Sequence, residues 1–388
     1  MLPQPSKNFE HLAPYLFAQI DRKRDALKAR GIDVISLGIG DPDQPTPAHI
    51  VEAMERAIRK PENHRYPAYE GSLAYRQATA TYMQRRFGVE IDPATESLAL
   101  IGSKEGIANL HVAYVDAGDV VLAPEIGYPV YSIGATLRGA ETYFMPMNAE
   151  NNWLADFDSV PDEVADRAKI MFLGYPNNPT GAIAPIEYLE RALEFCKKHN
   201  ILLAHDNAYS DLSYDGYVAP SILQIPGAKE QAIEFFSLSK PYNMTGWRIA
   251  FVVGNAEAIE ALGTVKNNVD SGQFTATQEA AIAALTGSQD CVADMCALYQ
   301  RRRDLIVDAL HAIGVECEAP KATIYVWAKV PEGHTSASFT ELMLEKAHVV
   351  VTPGSGYGTG GEGYIRISLT TPDEDILAAV ERMREAMG

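Results

Sequence analysis

Between residues 98 and 253 the chain carries seven short apolar runs: Leu98–Ile101, Val120–Leu122, Thr142–Met145, Ile170–Leu173, Ile201–Ala204, Ile233–Phe236 and Ile249–Val253. Runs of this length read as strands buried on both faces. Helical patterns fill most of the gaps, so the stretch predicts an α/β fold with a mostly parallel seven-stranded sheet between helices. In such sheets the ligand lies beyond the carboxyl ends of the strands. The segments that follow the runs are polar: Gly102-Ser-Lys-Glu-Gly, Pro124-Glu-Ile-Gly-Tyr128, Gly174-Tyr-Pro-Asn-Asn-Pro-Thr-Gly181, His205-Asp-Asn-Ala-Tyr209 and Ser237-Leu-Ser-Lys240. Five strand ends are thus predicted to converge on one site.

Upstream, Leu16, Phe17, Ile20 and Leu27 recur at helical spacing before Gly31, and Val34–Leu37 reads as a short strand entering the turn Gly38-Ile-Gly40-Asp-Pro-Asp43. Thr46-Pro47 predicts a helix start with Thr46 as N-cap, Pro61 ends that helix, and Ser72 caps the next, which runs to Phe87. Beyond Ala256 the pattern shifts to long helices, notably Val292–Ile313. A strand over Thr323–Lys329, a Gly-rich loop Pro353–Gly363, a strand Tyr364–Leu369 that carries Arg366, and a closing helix Asp373–Met387 follow. The shift predicts a large domain over 46–285 and a smaller α+β domain over 286–388, with 1–45 an N-terminal arm that joins the smaller one.

Composition narrows the class. Of 388 residues 47% are apolar and 22% charged, and no run reaches the roughly 20 apolar residues a membrane span needs. The start lacks a secretory pattern, so the expected location is the cytoplasm. A net charge of −18 repels nucleic acid over most of the surface. Cys196, Cys291, Cys296 and Cys317 show neither a CxxC pair nor histidines at ligand spacing. They read as buried reduced thiols, and no metal site is expected.

The candidate chemistry centres on Ser237–Arg248. A lysine and an arginine delivered between two buried strands need a partner. A desolvated lysine is the usual Schiff-base nucleophile, and an arginine fork the usual clamp for a phosphate or carboxylate. Lys240 is therefore read as the residue that holds pyridoxal phosphate. Ser103 and Lys104 stand at a strand-to-helix junction suited to an anion, or simply cap a helix. Asp206 at a strand end needs a cation, for which a protonated pyridine nitrogen or a salt bridge would serve. Tyr209, Asn178 and Tyr128 could face the same ligand or be ordinary packing and turn residues. Arg366 in its apolar strand suits a substrate carboxylate or a structural ion pair. Ser237-Leu-Ser-Lys240 also fits the S-x-x-K pattern of acyl-enzyme hydrolases, but their S-D-N and K-T-G signatures do not occur. A ligand-sensing domain of a transcription regulator is a third reading, and no basic DNA-binding module accompanies it.

Gly40-Asp-Pro-Asp, Tyr66, Asn178-Pro-Thr-Gly181, Asp206-x-x-Tyr209, Ser237-x-x-Lys240, Arg248 and Arg366 occur in the order and approximate spacing of one family. Over nearly its whole length the chain resembles a fold-type I pyridoxal-phosphate aminotransferase of class I/II. Within that family, Leu37–Asp43, Tyr242–Ile249 and Asn268–Gly272 are most similar to the LL-diaminopimelate branch. The resemblance implies transfer of an amino group from that amino acid to 2-oxoglutarate; another amino donor, or a β-lyase on the same fold, is the alternative. It also implies that Lys240, Asp206 and Tyr209 are catalytic. Ser103, Lys104, Tyr128, Asn178, Ser237 and Arg248 would complete the cofactor site, joined by Tyr66 from the other subunit of a homodimer. Tyr15, Gly40, Tyr69, Lys104, Tyr128, Asn178 and Arg366 would meet substrate. Tyr69 stands where plant-type members have a glutamate, which leaves Glu70 or the Asp270–Phe274 loop as candidates for the substrate's distal amino group.

Overall fold

The computed structural model describes residues 2–12 and 16–387. Its central sheet has seven strands, numbered here in chain order: β1 Ser97–Leu100, β2 Val120–Pro124, β3 Glu141–Met145, β4 Ala168–Leu173, β5 Leu202–Asp206, β6 Ala232–Ser237 and β7 Ala250–Gly254. They lie in the order β1-β7-β6-β5-β4-β2-β3. Strand β7 pairs antiparallel with both β6 and β1, while the other neighbours pair in parallel. Each predicted run thus becomes a strand of one sheet. The inner strands are almost wholly buried because both faces are covered, with β2 and β7 buried along their full length, and each large apolar side chain so enclosed contributes about 1.5–3 kcal/mol. Strand β3 departs from that pattern. It is an edge strand, and Phe144 on it is 48% exposed.

One apolar cluster fills each face of the sheet, with Met171, Leu203 and Phe251 on one side and Leu100, Phe172 and Phe235 on the other. A separate cluster gathers Ile35, Leu37, Tyr299, Val326, Phe339, Ile365, Ile367 and Ile376. It is built on a three-stranded antiparallel sheet in which Tyr364–Ser368 lies between Thr352–Pro353 and Tyr325–Lys329, while Ile35–Ser36 pairs in parallel with Val349–Val350.

Helix boundaries follow the sequence signals with two exceptions. Ser72 accepts from the Tyr75 amide and starts the helix Leu73–Phe87, which ends at left-handed Gly88. The helix after Pro47, Ala48–Ile58, has no side-chain cap, because the Thr46 hydroxyl instead donates to the Asn243 carbonyl at 2.7 Å. The Ser103 helix runs Ser103–Tyr114 with Gly102 as the residue before its first turn, so Ser103 is not the N-cap. Of the four free cysteines only Cys196 is buried, and the other three are half-buried.

Candidate active site

Strands β1, β4, β5 and β6 end at the same edge of the sheet, and reversed β7 begins there. Arg248, just before β7, therefore reaches the edge where Gly102, Gly174, Asp206 and Ser237 emerge. These segments and the small sheet enclose a cavity of about 410 Å³. Gly40, Ser103, Lys104, Tyr128, Asn178, Asp206, Tyr209, Ser237, Lys240, Arg248 and Arg366 all line it. The structure thus brings together eleven of the residues named from sequence. Tyr66, 85% exposed, and Tyr69, 48% exposed, lie outside it, and Tyr15 falls outside the described residues.

Lys240 donates from Nζ to the Gly40 carbonyl at 2.6 Å. Burial lowers its pKa, and the Arg366 and Arg248 cations add to the effect against Tyr325 and Asp41, so its amine is more readily uncharged than an ordinary lysine's. Its hydrogen bond goes to Gly40 rather than to Ser237, whose Oγ accepts from the Ser239 amide at 3.3 Å. The serine–lysine pair of an acyl-enzyme hydrolase is therefore not assembled.

On the sheet side, Asp206 Oδ2 accepts from the Tyr131 hydroxyl at 2.9 Å, while Oδ1 is buried with no hydrogen-bond partner. Burial pushes this carboxyl from the ordinary 3.8 up to about 6, against the lowering effect of the Tyr131 bond. Tyr131 is stacked on Phe172 with centroids 5.2 Å apart, and its hydroxyl packs so closely on Gly174 that a Cβ there would meet it at 2.6 Å.

At one end the N-terminus of the helix Ser103–Tyr114, with its positive dipole end, faces the cavity. Gly102 has φ +137°, and a Cβ there would stand 2.4 Å from Arg248 Nη2. Arg248, itself left-handed at φ 56°, donates from Nη1 to the Thr245 carbonyl at 2.6 Å. Ser237 and Ser239 line the same wall, and the Lys104 ammonium sits 5.5 Å from the Tyr128 ring centroid.

Arg366 forms the far wall. It is 1% exposed, and donates from Nη1 to Asn178 Oδ1 at 2.9 Å and from Nη2 to the Gly38 carbonyl at 2.6 Å. Its guanidinium lies 4.0 Å from the Tyr325 ring centroid. The turn that presents Asn178 is held by its neighbour: Asn177 Oδ1 accepts from the Thr180 amide and hydroxyl at 3.1 and 2.7 Å, which leaves Asn178 free to reach Arg366.

Tyr131 and Tyr325 were not named from the sequence, and Gly102 and Ser239 entered only as members of polar strand-end segments, with no role of their own. Tyr131 stands three residues after Tyr128, and that spacing was its only signal. Tyr325 lies inside the predicted strand Thr323–Lys329, opens the observed one, and carried no motif.

Outside the cavity, the loop of Tyr66 and Tyr69 rests on Gly272, where a Cβ would meet Pro67 at 3.1 Å and the Ala68 carbonyl at 3.2 Å. Asp270 holds that second loop by accepting from buried Lys266 and from the Gly272 amide.

The residues present suit pyridoxal 5′-phosphate. The partnerless, buried Asp206 oxygen calls for a donor such as a protonated ring nitrogen. A helix N-terminus with Arg248 and serines forms an anion cradle, and an amine of lowered pKa stands between them.

Residues 32–383 match the family model for aminotransferase class I and II. Over 385 residues, 99% of each chain, the sequence is 54% identical to the LL-diaminopimelate aminotransferase of Moorella thermoacetica. Substrate-bound BacF from Bacillus subtilis superimposes with a TM-score of 0.95 at 39% identity, covering 99% of this chain and 98% of that one. A probable N-succinyldiaminopimelate aminotransferase from Thermus thermophilus gives 0.90 at 38% identity, covering 96% and 100%. On this likeness, which spans nearly the whole chain, the protein belongs to the class I and II aminotransferases, enzymes that work through pyridoxal 5′-phosphate.

Proposed function

We propose that this aminotransferase moves the amino group of LL-2,6-diaminopimelate to 2-oxoglutarate, a reaction of lysine and cell-wall precursor metabolism. The observation that carries the aminotransferase reading is the convergence of Lys240, Asp206, Arg248 and Arg366 on one cavity. The substrate rests on relatives of that name at 54% identity over 99% of this chain.

The bound cofactor supplies an aldehyde to take the amino group and a pyridine ring to hold the electron pair left when the substrate's Cα loses its proton. Lys240 would hold the cofactor through its amine, and the same amine is the group placed to carry the Cα proton. Asp206 keeps the ring nitrogen protonated through its free oxygen, and Tyr131 orients Asp206. Asn178 and Tyr209 would hold the cofactor through hydrogen bonds, and Tyr128 would pack against it. The Ser103–Lys104 helix start, Ser237 and Arg248 hold the phosphate. Arg366 and the Gly40 backbone anchor the substrate's α-carboxylate.

The exposed Tyr66 and Tyr69, with Leu73, Val269 and Phe274 also exposed, support a homodimer in which Tyr66 reaches the neighbour's phosphate site and the Tyr69 and Asp270–Phe274 loops meet the substrate's distal end. The separate apolar cluster formed largely beyond residue 286, with Ile35 and Leu37, supports domains over 46–285 and 286–388 with the 1–45 arm on the smaller one. A cytoplasmic location belongs to the same reading. Among the described residues no helix is long and apolar enough to cross a membrane.

The test is a panel of amino donors, LL-diaminopimelate, alanine and aspartate among them, each with 2-oxoglutarate and pyruvate. Turnover of LL-diaminopimelate with 2-oxoglutarate well above the others is expected. No turnover of it would overturn the substrate, and the other donors would then identify the enzyme's branch of the family.

A further inference from the structure

Tyr325 has no part in the roles assigned above, yet it stands at the meeting point of three of them. Its hydroxyl lies 3.2 Å from that of Tyr209, both side chains are buried, and both line the cavity. The two rings meet edge to face with centroids 5.7 Å apart. Arg366 lies over the Tyr325 ring at 4.0 Å. The hydroxyl itself fills the space beside Gly40, where a Cβ would be only 2.0 Å away. The Gly40 carbonyl is also the acceptor of the Lys240 amine, so phenol and amine pack against one residue. Gly40 is thus a glycine because Tyr325 needs the space.

The surroundings make the pair asymmetric. Burial pushes Tyr209 well above the usual phenol range, and Tyr325 adds to this. Burial also acts on Tyr325, but the Arg366 and Lys240 cations outweigh it and leave Tyr325 below the usual value. Among the described residues, the charged and titratable groups around the pair are Arg366, Lys240, Asp41 beside Lys240, Tyr128 beside Tyr209 and Tyr299 beside Tyr325. At 3.2 Å either hydroxyl can donate, and the Arg366 cation 4.0 Å from the Tyr325 ring centroid draws electron density from that phenol and makes Tyr325 the better donor of the two. Tyr209's own hydrogen is then left for a third group.

We propose that Tyr325 is a positioning residue for the amino-transfer reaction: its hydroxyl donates to Tyr209 and thereby aims and strengthens Tyr209's own hydrogen bond to the cofactor's phenolic oxygen. Donors in series reinforce one another in a buried site. The inference rests on the reading that Tyr209 meets the cofactor.

The experiment compares cofactor-loaded wild type with Tyr325→Phe, Tyr209→Phe and the double variant, following the pH midpoint at which the bound cofactor's visible absorption changes. Phenylalanine keeps the ring under Arg366, so Tyr325→Phe should fold and retain its KM for the amino acid. Its midpoint should rise by about half to one pH unit, the scale of one neutral hydrogen bond. Tyr209→Phe should raise it further, and the double variant should match Tyr209→Phe alone, because Tyr325 acts through Tyr209. A midpoint unmoved in Tyr325→Phe but raised in Tyr209→Phe overturns the proposal and leaves the reading of the site standing. A midpoint unmoved in both overturns the placement of Tyr209 at the cofactor, and the proposal with it. A double variant displaced beyond Tyr209→Phe overturns the relay, since Tyr325 would then act on its own.

Discussion

Replacing Asp206 with asparagine should stabilise the cofactor-free protein while disabling the enzyme. Burial raises the carboxyl from 3.8 to about 6, and one of its oxygens has no partner. A carboxyl whose pKa is higher in the folded chain binds its proton more tightly there, so protonation favours the fold. Stability from this group is gained as pH falls through 6 toward 4 and lost as pH rises. At pH 8 the carboxylate is charged in both states and the fold bears the whole penalty, roughly 3 kcal/mol at about 1.4 kcal/mol per pH unit. Asparagine removes the charge and keeps an acceptor for Tyr131, but it leaves an unpaired N–H that costs about 1 kcal/mol. Urea titration of the cofactor-free variant should therefore show a gain of about 2 kcal/mol at pH 8 and under about 1 kcal/mol at pH 5. Amino transfer should meanwhile fall by a factor on the order of a thousand, because the ring loses the anion that keeps its nitrogen protonated. A variant less stable than wild type at pH 8 would refute the account of Asp206 as a strained, waiting carboxylate.

Gly102→Ala places a Cβ 2.4 Å from Arg248 Nη2 at φ +137°, so cofactor affinity, read by absorbance titration, should drop about a hundredfold, with a stability loss of about 1–3 kcal/mol; unchanged affinity would exclude Gly102 from the cradle. Lys240→Ala should still bind the cofactor, but without the covalent link, and lose turnover by about a thousandfold or more; full turnover would refute the assignment. Arg366→Gln should raise KM for the amino donor by about a hundredfold with the cofactor's spectrum retained, and an unchanged KM would place the carboxylate elsewhere.

The sheet was readable because its strands are buried on both faces and so appear as continuous apolar runs, with edge strand β3 conforming least. The site was readable wherever a charged residue followed such a run, as with Asp206 and Lys240. Tyr131 and Tyr325 were not, for a physical reason. Each resembles any core tyrosine in composition, and each gains meaning only from a contact distant in sequence, Tyr131 with Asp206 and Tyr325 with Tyr209. Gly102 was hidden similarly, since its φ and its closeness to Arg248 exist only in three dimensions. The Thr46 cap failed because a partner nearly two hundred residues away, Asn243, competes for its hydroxyl.

The reversed direction of β7 also bears on how the chain acquires its fold. Among the strand pairs of the central sheet, β6 with β7 is joined directly by the loop from Leu238 to Ile249, whereas β1 must find β7 across most of the domain. Closing a short loop costs less chain entropy than closing a long one. The pairing of Ser237 with Ala250, which brackets both Lys240 and Arg248, is thus among the cheapest long-lived contacts for the unfolded chain to make. The two residues with the most demanding chemistry are set relative to each other by a local event, and the slower search for distant partners falls to Arg366 and Tyr325.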